Sequence, residues 1–281
     1  MPTHTSARNI GGNPVFEIWI PVLIFLFGLA IGSFLNVCIY RIPRADLSIH
    51  SPHRSFCPEC NTPISPYDNI PGLSYLLLRG KCRHCSATIS VLYPLVELVT
   101  AGIFLFLYYH FGLTLEFLLA LVFVSVLLPI SVIDAQHYII PNTLIVTGLI
   151  LGFGIVCAIA YQRADVWYLL IRLIGAVAGG MALWLVAVIG SAVLRKTAMG
   201  GGDIKLMALN GLFLGAWPEL AMVIAFSALS GAIVGTILII SGVKSRESPI
   251  PYGPFLAGAA VLVLLWGDNL WHLYLQSVGW H

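Results

Sequence analysis

Residues Leu115–Asp134 read LEFLLALVFVSVLLPISVID. Between Glu116 and Asp134 there is no charge, and the run has about the 20 apolar residues that an α-helix needs to cross a bilayer. Similar runs lie on both sides: Val15–Tyr40, Tyr93–Phe111, Leu144–Tyr161, Trp167–Leu194, Ile204–Ala216, Glu219–Gly242 and Tyr252–Trp271. Hydrophobic residues make up 59% of the 281 and charged residues only 9%, with a mean hydropathy of +0.93. A soluble domain carries about 25% charged residues. Too few polar side chains remain here to cover a water-soluble globule. The fold expected is an all-α polytopic membrane protein with about eight transmembrane helices. Soluble enzyme, coiled coil and disordered chain are excluded.

Charge orients the runs. The net charge of +2 lacks the basic stripe of a nucleic-acid binder, so no nucleic-acid partner is expected and the lipid bilayer is. Residues 41–91 form the one long polar stretch and hold Arg41, Arg44, Arg54, Arg79, Lys81 and Arg83, six of fourteen basic residues. Cytoplasmic loops carry the excess of Lys and Arg, so this loop is expected inside and the N-terminus outside. Alternation then places Arg195, Lys196 and Lys205 inside as well, and Lys244 and Arg246 with them provided that Ile204–Ala216 crosses. That segment is short, and a re-entrant path is the alternative. The organisation expected is a tail over 1–14, a first membrane helix over 15–40, a cytoplasmic loop domain over 41–91, a membrane core over 92–272 and a tail over 273–281. A signal peptide cleaved near Gly28 and Ala30 is disfavoured, because Glu17 stands early in the run and the apolar residues continue past the cut.

The loop domain carries Cys57-Pro-Glu-Cys60 and, after 21 residues, Cys82-Arg-His-Cys85. Each C-x-x-C turn offers two thiolates, and two such turns together make the closed tetrahedral set of structural zinc. A loop with little core of its own gains folding energy from such a metal. Two local disulfides or four free thiols are the alternatives. Four cysteine ligands leave no open position for catalysis.

Acids at membrane depth are costly and point to function. Glu17 and Glu219 read as interfacial anchors. Asp134 and Asp203 read differently, because span lengths and basic residues alone bring both to the cytoplasmic face. Two carboxyls at one depth suit an aspartyl protease, one activating water while the other donates a proton to the scissile carbonyl. An N-cap role is also open to Asp203, and an interfacial role to Asp134. Helix dipoles predict that Asp203, at a helix start, is the ionised partner, and Asp134, at a helix end, the protonated one. The glycines before Asp203, Gly200-Gly201-Gly202, permit close backbone approach.

These motifs resemble the type IV prepilin leader peptidase/N-methyltransferase family, aspartyl proteases with a G-x-G-D motif. The resemblance rests on Gly32-Ser33-Phe34-Leu35-Asn36-Val37 running into Tyr40-Arg41-Ile42-Pro43, the four-cysteine loop, Tyr93-Pro94-Leu95-Val96-Glu97, Asp134 with Pro141, Gly200–Leu206, and Pro251-Tyr252-Gly253-Pro254-Phe255. The family often has an acid where this chain has Asn142. The resemblance implies catalytic Asp134 and Asp203, supported by Gly200, Gly202 and Lys205, and a zinc ion on Cys57, Cys60, Cys82 and Cys85. It implies cleavage of the basic leader of prepilins and pseudopilins at the cytoplasmic face of the bacterial inner membrane. Methylation of the new N-terminus from S-adenosylmethionine follows, with Asn36, Arg41 and Glu97 as candidate methyl-transfer or plain structural polar residues. The competing reading is a transporter or channel with proton-relay acids and a zinc-stabilised loop.

Overall fold

The computed structural model describes residues 14–44, 47–49, 54–195, 199–245 and 248–279. The tail before residue 14, Lys196, Arg246 and the side chain of Glu17 lie outside them. The described residues are helical apart from loops and two isolated β-bridges. They fall into two compact units, Met1–Phe117 and Leu118–His281.

In the first unit, α1 (Pro14–Arg41) packs on α3 (Leu92–Phe111). Between them lie the two cysteine turns, a 3-10 turn (Pro66–Asn69) and the short α2 (Leu73–Leu77). The α1–α3 contact is close because Gly28 and Gly32 share a helix face, as small residues four apart do in membrane helix pairs. A Cβ on Gly32 would stand 2.6 Å from the Cα of Glu97, and one on Gly28 2.6 Å from the Cα of Ala101. α3 stops at Gly112, whose φ of 65° only glycine adopts readily.

The next helix, α4 (Leu115–His137), starts where the Thr114 hydroxyl accepts the Phe117 amide at 3.2 Å. The second unit continues with α5 (Asn142–Arg163), α6 (Val166–Leu194), α7 (Gly201–Leu214), α8 (Glu219–Ile240) and α9 (Gly253–Ser277). α6 begins under an Asp165 cap that accepts the Trp167 and Tyr168 amides at 2.9 and 3.2 Å.

Among the described residues, seven helices are long and apolar enough to cross a membrane: α1, α3, α4, α5, α6, α8 and α9. The eighth expected segment is α7, with 14 residues, which is only about 21 Å of helix. It lies against α6 with backbone in contact, the Cβ position of Gly211 being 2.0 Å from the Gly175 carbonyl oxygen. Its C-terminal end is closed by Arg172, whose guanidinium donates to the Phe213 carbonyl. A cation at a helix C-terminus satisfies carbonyls that have no intrahelical partner.

Candidate active site and metal centre

Asp134 sits in the last turn of α4 and Asp203 in the first turn of α7, both buried. Two contacts bring the α7 start to the α4–α5 connection. Gly202 packs so closely on Ile140 that a Cβ would come within 2.8 Å of its Cβ. Lys205 donates from Nζ to Asn142 Oδ1 at 2.8 Å. Gly200, with φ −73° and ψ 143°, is the N-cap and lets the chain enter the helix early. The three expected supports therefore all lie at this corner. Lys205 spends its charge on Asn142 rather than on the aspartates.

Two expectations about Asp203 and Asp134 change. Asp203 is three residues inside α7 rather than its cap, and its carboxyl turns back to the Gly200 amide, as the third residue of a capping box does. Asp134 does not face only the C-terminus of its own helix. Its Oδ2 accepts the Gly253 N–H at 2.8 Å, at the start of α9. Each acid thus meets a helix N-terminus, and the dipole contrast expected between them is absent. The charge of Asp134 reaches Asp203. Tyr252, beside Gly253, completes the surroundings: its hydroxyl lies 2.7 Å from Ser227 Oγ on α8 and within electrostatic reach of Asp203. Ser227 Oγ also lies 3.1 Å from the Ile224 carbonyl of its own helix. The sequence marked Tyr252 and Gly253 only as part of a motif and did not mark Ser227 at all.

In the first unit the four cysteine Sγ atoms lie within 4.8 Å of one another, and Cys57 and Cys85 are 3.7 Å apart. A disulfide bond is about 2.05 Å long, whereas a zinc tetrahedron with bonds of about 2.3 Å has sulfur–sulfur edges of about 3.8 Å. The two halves repeat one design. Cys57 donates its amide to Thr62 and accepts from Asn61, while Cys82 donates to Ala87 and accepts from Ser86. Asn61 and Ser86 both take the left-handed conformation, at φ 55° and 58°. The bridges Phe56–Pro63 and Lys81–Thr88 close the two turns. The Cys60 thiol is pulled down to about 6 by the hydroxyl and backbone of Thr62. A thiolate available at neutral pH is what zinc binds.

Comparisons with known proteins decide the family. Residues 26–111 match the bacterial peptidase A24 N-terminal domain, and residues 121–236 match the type IV leader peptidase family. The prepilin leader peptidase/N-methyltransferase of Pseudomonas aeruginosa is 37% identical, over 90% of this chain and 93% of its own. That of Bacillus subtilis is 38% identical, over 90% and 97%. That of Legionella pneumophila is 34% identical, over 90% and 94%. The chain belongs to the prepilin leader peptidase/N-methyltransferase family. No solved structure matches it.

As a prepilin leader peptidase, the chain is a multi-pass membrane enzyme, and the transporter reading is not favoured. The three polar residues considered for methyl transfer all hold backbone. Asn36 Nδ2 donates to the Tyr93 carbonyl at 2.9 Å. Arg41 donates to the carbonyls of Ser48, Ile49 and Arg54 at 3.1–3.2 Å and lies over the Phe56 ring. Glu97 Oε2 accepts the Gly72 N–H at 2.7 Å. These contacts match the structural alternative for the three residues, and no methyl-transfer step is assigned to them.

Proposed function

We propose that this peptidase is an intramembrane aspartyl endopeptidase, with Asp134 and Asp203 as the catalytic pair, removing the basic leader from prepilins and pseudopilins at the cytoplasmic membrane face. The observation that carries the reading is that two buried acids, Asp134 in the last turn of α4 and Asp203 in the first turn of α7, are held at one corner by the Gly202–Ile140 and Lys205–Asn142 contacts. One carboxylate takes a proton from water as the water attacks the scissile carbonyl. The other carboxyl gives its proton to the carbonyl oxygen. Two like charges at close range resist double ionisation, which keeps one proton on the pair and supplies acid and base together. Neither acid is tied up by the nearby Lys205. The excess of basic residues in 41–91 supports a cytoplasmic site. The names of the relatives support a second step, methylation of the new N-terminal amine, with S-adenosylmethionine as donor.

Co-expression with a prepilin tests the reading. Wild type should remove the leader. Asp134→Ala and Asp203→Ala should each lower the rate at least about 100-fold, the typical contribution of a general acid or base, while the protein remains inserted and monodisperse. Full cleavage by either variant would remove that residue from the catalytic pair.

A further inference from the structure

Residues 41–91 are polar on average, yet Ile70-Pro71-Gly72-Leu73-Ser74-Tyr75-Leu76-Leu77-Leu78 within them is almost wholly apolar. We propose that this stretch is a lipid-contacting element, seated in the headgroup–acyl boundary of the leaflet from which the loop domain emerges.

Its depth follows from its contacts within the first unit. A hydrocarbon span of about 20 residues counted from Ile18 ends near Val37. Gly72 is bound to Glu97, and the Glu97 backbone lies against Gly32. Gly32 is then about 7 Å inside the hydrocarbon boundary at 1.5 Å per residue. A shallow groove of about 270 Å³ joins Pro71, Gly72 and Leu76 to Leu29 on α1 and to Pro94 and Leu98 on α3. Counted from the start of α3, Glu97 gives the same depth of about 7 Å. Amphipathic elements at interfaces lie about 5–10 Å deep.

The outward side suits lipid. Ile70, Leu73, Leu76 and Leu77 are 46%, 49%, 73% and 70% exposed in the protein alone. Leu73 and Leu76 share the groove with Leu29, Pro94 and Leu98 of the two spans. The inward side closes its own polar groups, as lipid contact requires. Ser74 is buried, its hydroxyl accepting the Ile70 amide at 2.9 Å and donating to the Tyr67 carbonyl at 3.1 Å. The amides of Leu73, Ser74, Leu76 and Leu78 bond to the carbonyls of Pro71, Ile70, Gly72 and Ser74. Arg79 and Lys81 follow at once, placed for headgroup phosphates. Anchoring here would fix the level of the zinc turns against the membrane and give the buried Glu97 its purpose.

The test uses the full chain in bacterial membranes, with a benzophenone amino acid placed at Leu76 or Leu77. Phe106, exposed on α3, serves as the lipid-facing control and Glu59, in the first cysteine turn, as the aqueous one. After irradiation, mass spectrometry should find phospholipid adducts at 76 and 77 at yields comparable with 106 and well above 59. Yields no higher than at 59 overturn the proposal, and so do adducts to a co-expressed prepilin in place of lipid. Leu76→Trp, reconstituted with bromine-labelled phospholipid, gives a second reading with a smaller change of shape. The added tryptophan should be quenched by bromines high on the acyl chains. Quenching by aqueous iodide instead contradicts lipid burial. Neither reading depends on leader cleavage, so each stands apart from the assignment of the catalytic aspartates.

Discussion

Gly253 is the residue on which the geometry of Asp134 turns. A Cβ there would lie 2.7 Å from Asp134 Oδ2, the oxygen that accepts the Gly253 amide. Alanine must displace either the carboxyl or the α9 start. Gly253→Ala is therefore expected to lower leader cleavage strongly and to reduce thermal stability by about 1–3 kcal/mol, the usual cost of overpacking. In an Asp134→Ala background the carboxyl is gone and the same substitution should cost clearly less. A double-mutant cycle on unfolding temperature checks the contact without relying on catalysis. Equal costs in both backgrounds would mean that the two residues do not touch. The aspartates themselves were legible from sequence because charge at the end of an apolar run is rare and conspicuous. Gly253 was legible only as part of a motif, since its role depends on a partner 119 residues away. Ser227 carried no signal, because a serine in an apolar helix usually bonds its own helix.

Helices and turns show the same division between local and distant causes. Span positions followed from runs of apolar residues, whereas the caps at Gly112, Asp165 and Gly215 emerge only in the structure. The start of α7 was misread because Asp203 looks like a cap, whereas the flexible Gly201 and Gly202 accept helical geometry before it. The stretch 70–78 was hidden inside a polar average. For α1 and α3, Gly32→Leu should separate the helices, since the obstacle is the Glu97 backbone rather than a movable side chain. The expected result is loss of the folded peak in size-exclusion chromatography with full-length expression retained. The cysteine turns make a separate prediction. Purified protein should hold about one zinc per chain, and chelation should open 54–91 to protease, because a metal-held loop loses its folding energy with the metal. In the zinc-free protein Cys60 is the thiol lowered to about 6 by Thr62. A depressed thiol is the reactive thiolate above that value and loses it as pH falls through it. Cys60 should thus alkylate readily at pH 7 and slow sharply below about pH 6, as read by peptide mass spectrometry. A rate that falls only near pH 9 would place its titration at the ordinary thiol value.

At the scale of the whole chain, the number of crossings decides where the C-terminus lies. By length α7 alone is too short to settle it, but the contacts of the second unit do more. Lys205 and Gly202 at the α7 start meet Asn142 and Ile140, which follow α4. Lys244, which follows α8, donates to Tyr138 Oη at 2.9 Å, and Gly253 at the α9 start meets Asp134. The ends of α4 and α8 and the starts of α7 and α9 therefore share one face. α8 is long and apolar enough to span, so it is expected to begin at the opposite face, with α7 and its short connection carrying the chain there. The antiparallel register along α6 agrees: Gly180 meets Ala208, Gly179 meets Met207, and Gly215 reaches Ile171, five positions from the α6 start. With every long helix crossing, an even number of crossings is the expected result, and residue 279 is expected on the side from which α8 starts. Alkaline phosphatase, active only outside the cytoplasm, should be active when fused after Gly279 and inactive when inserted within 54–65. Inactive enzyme at both positions, with the fusions intact, would mean that α7 returns to the face from which it started.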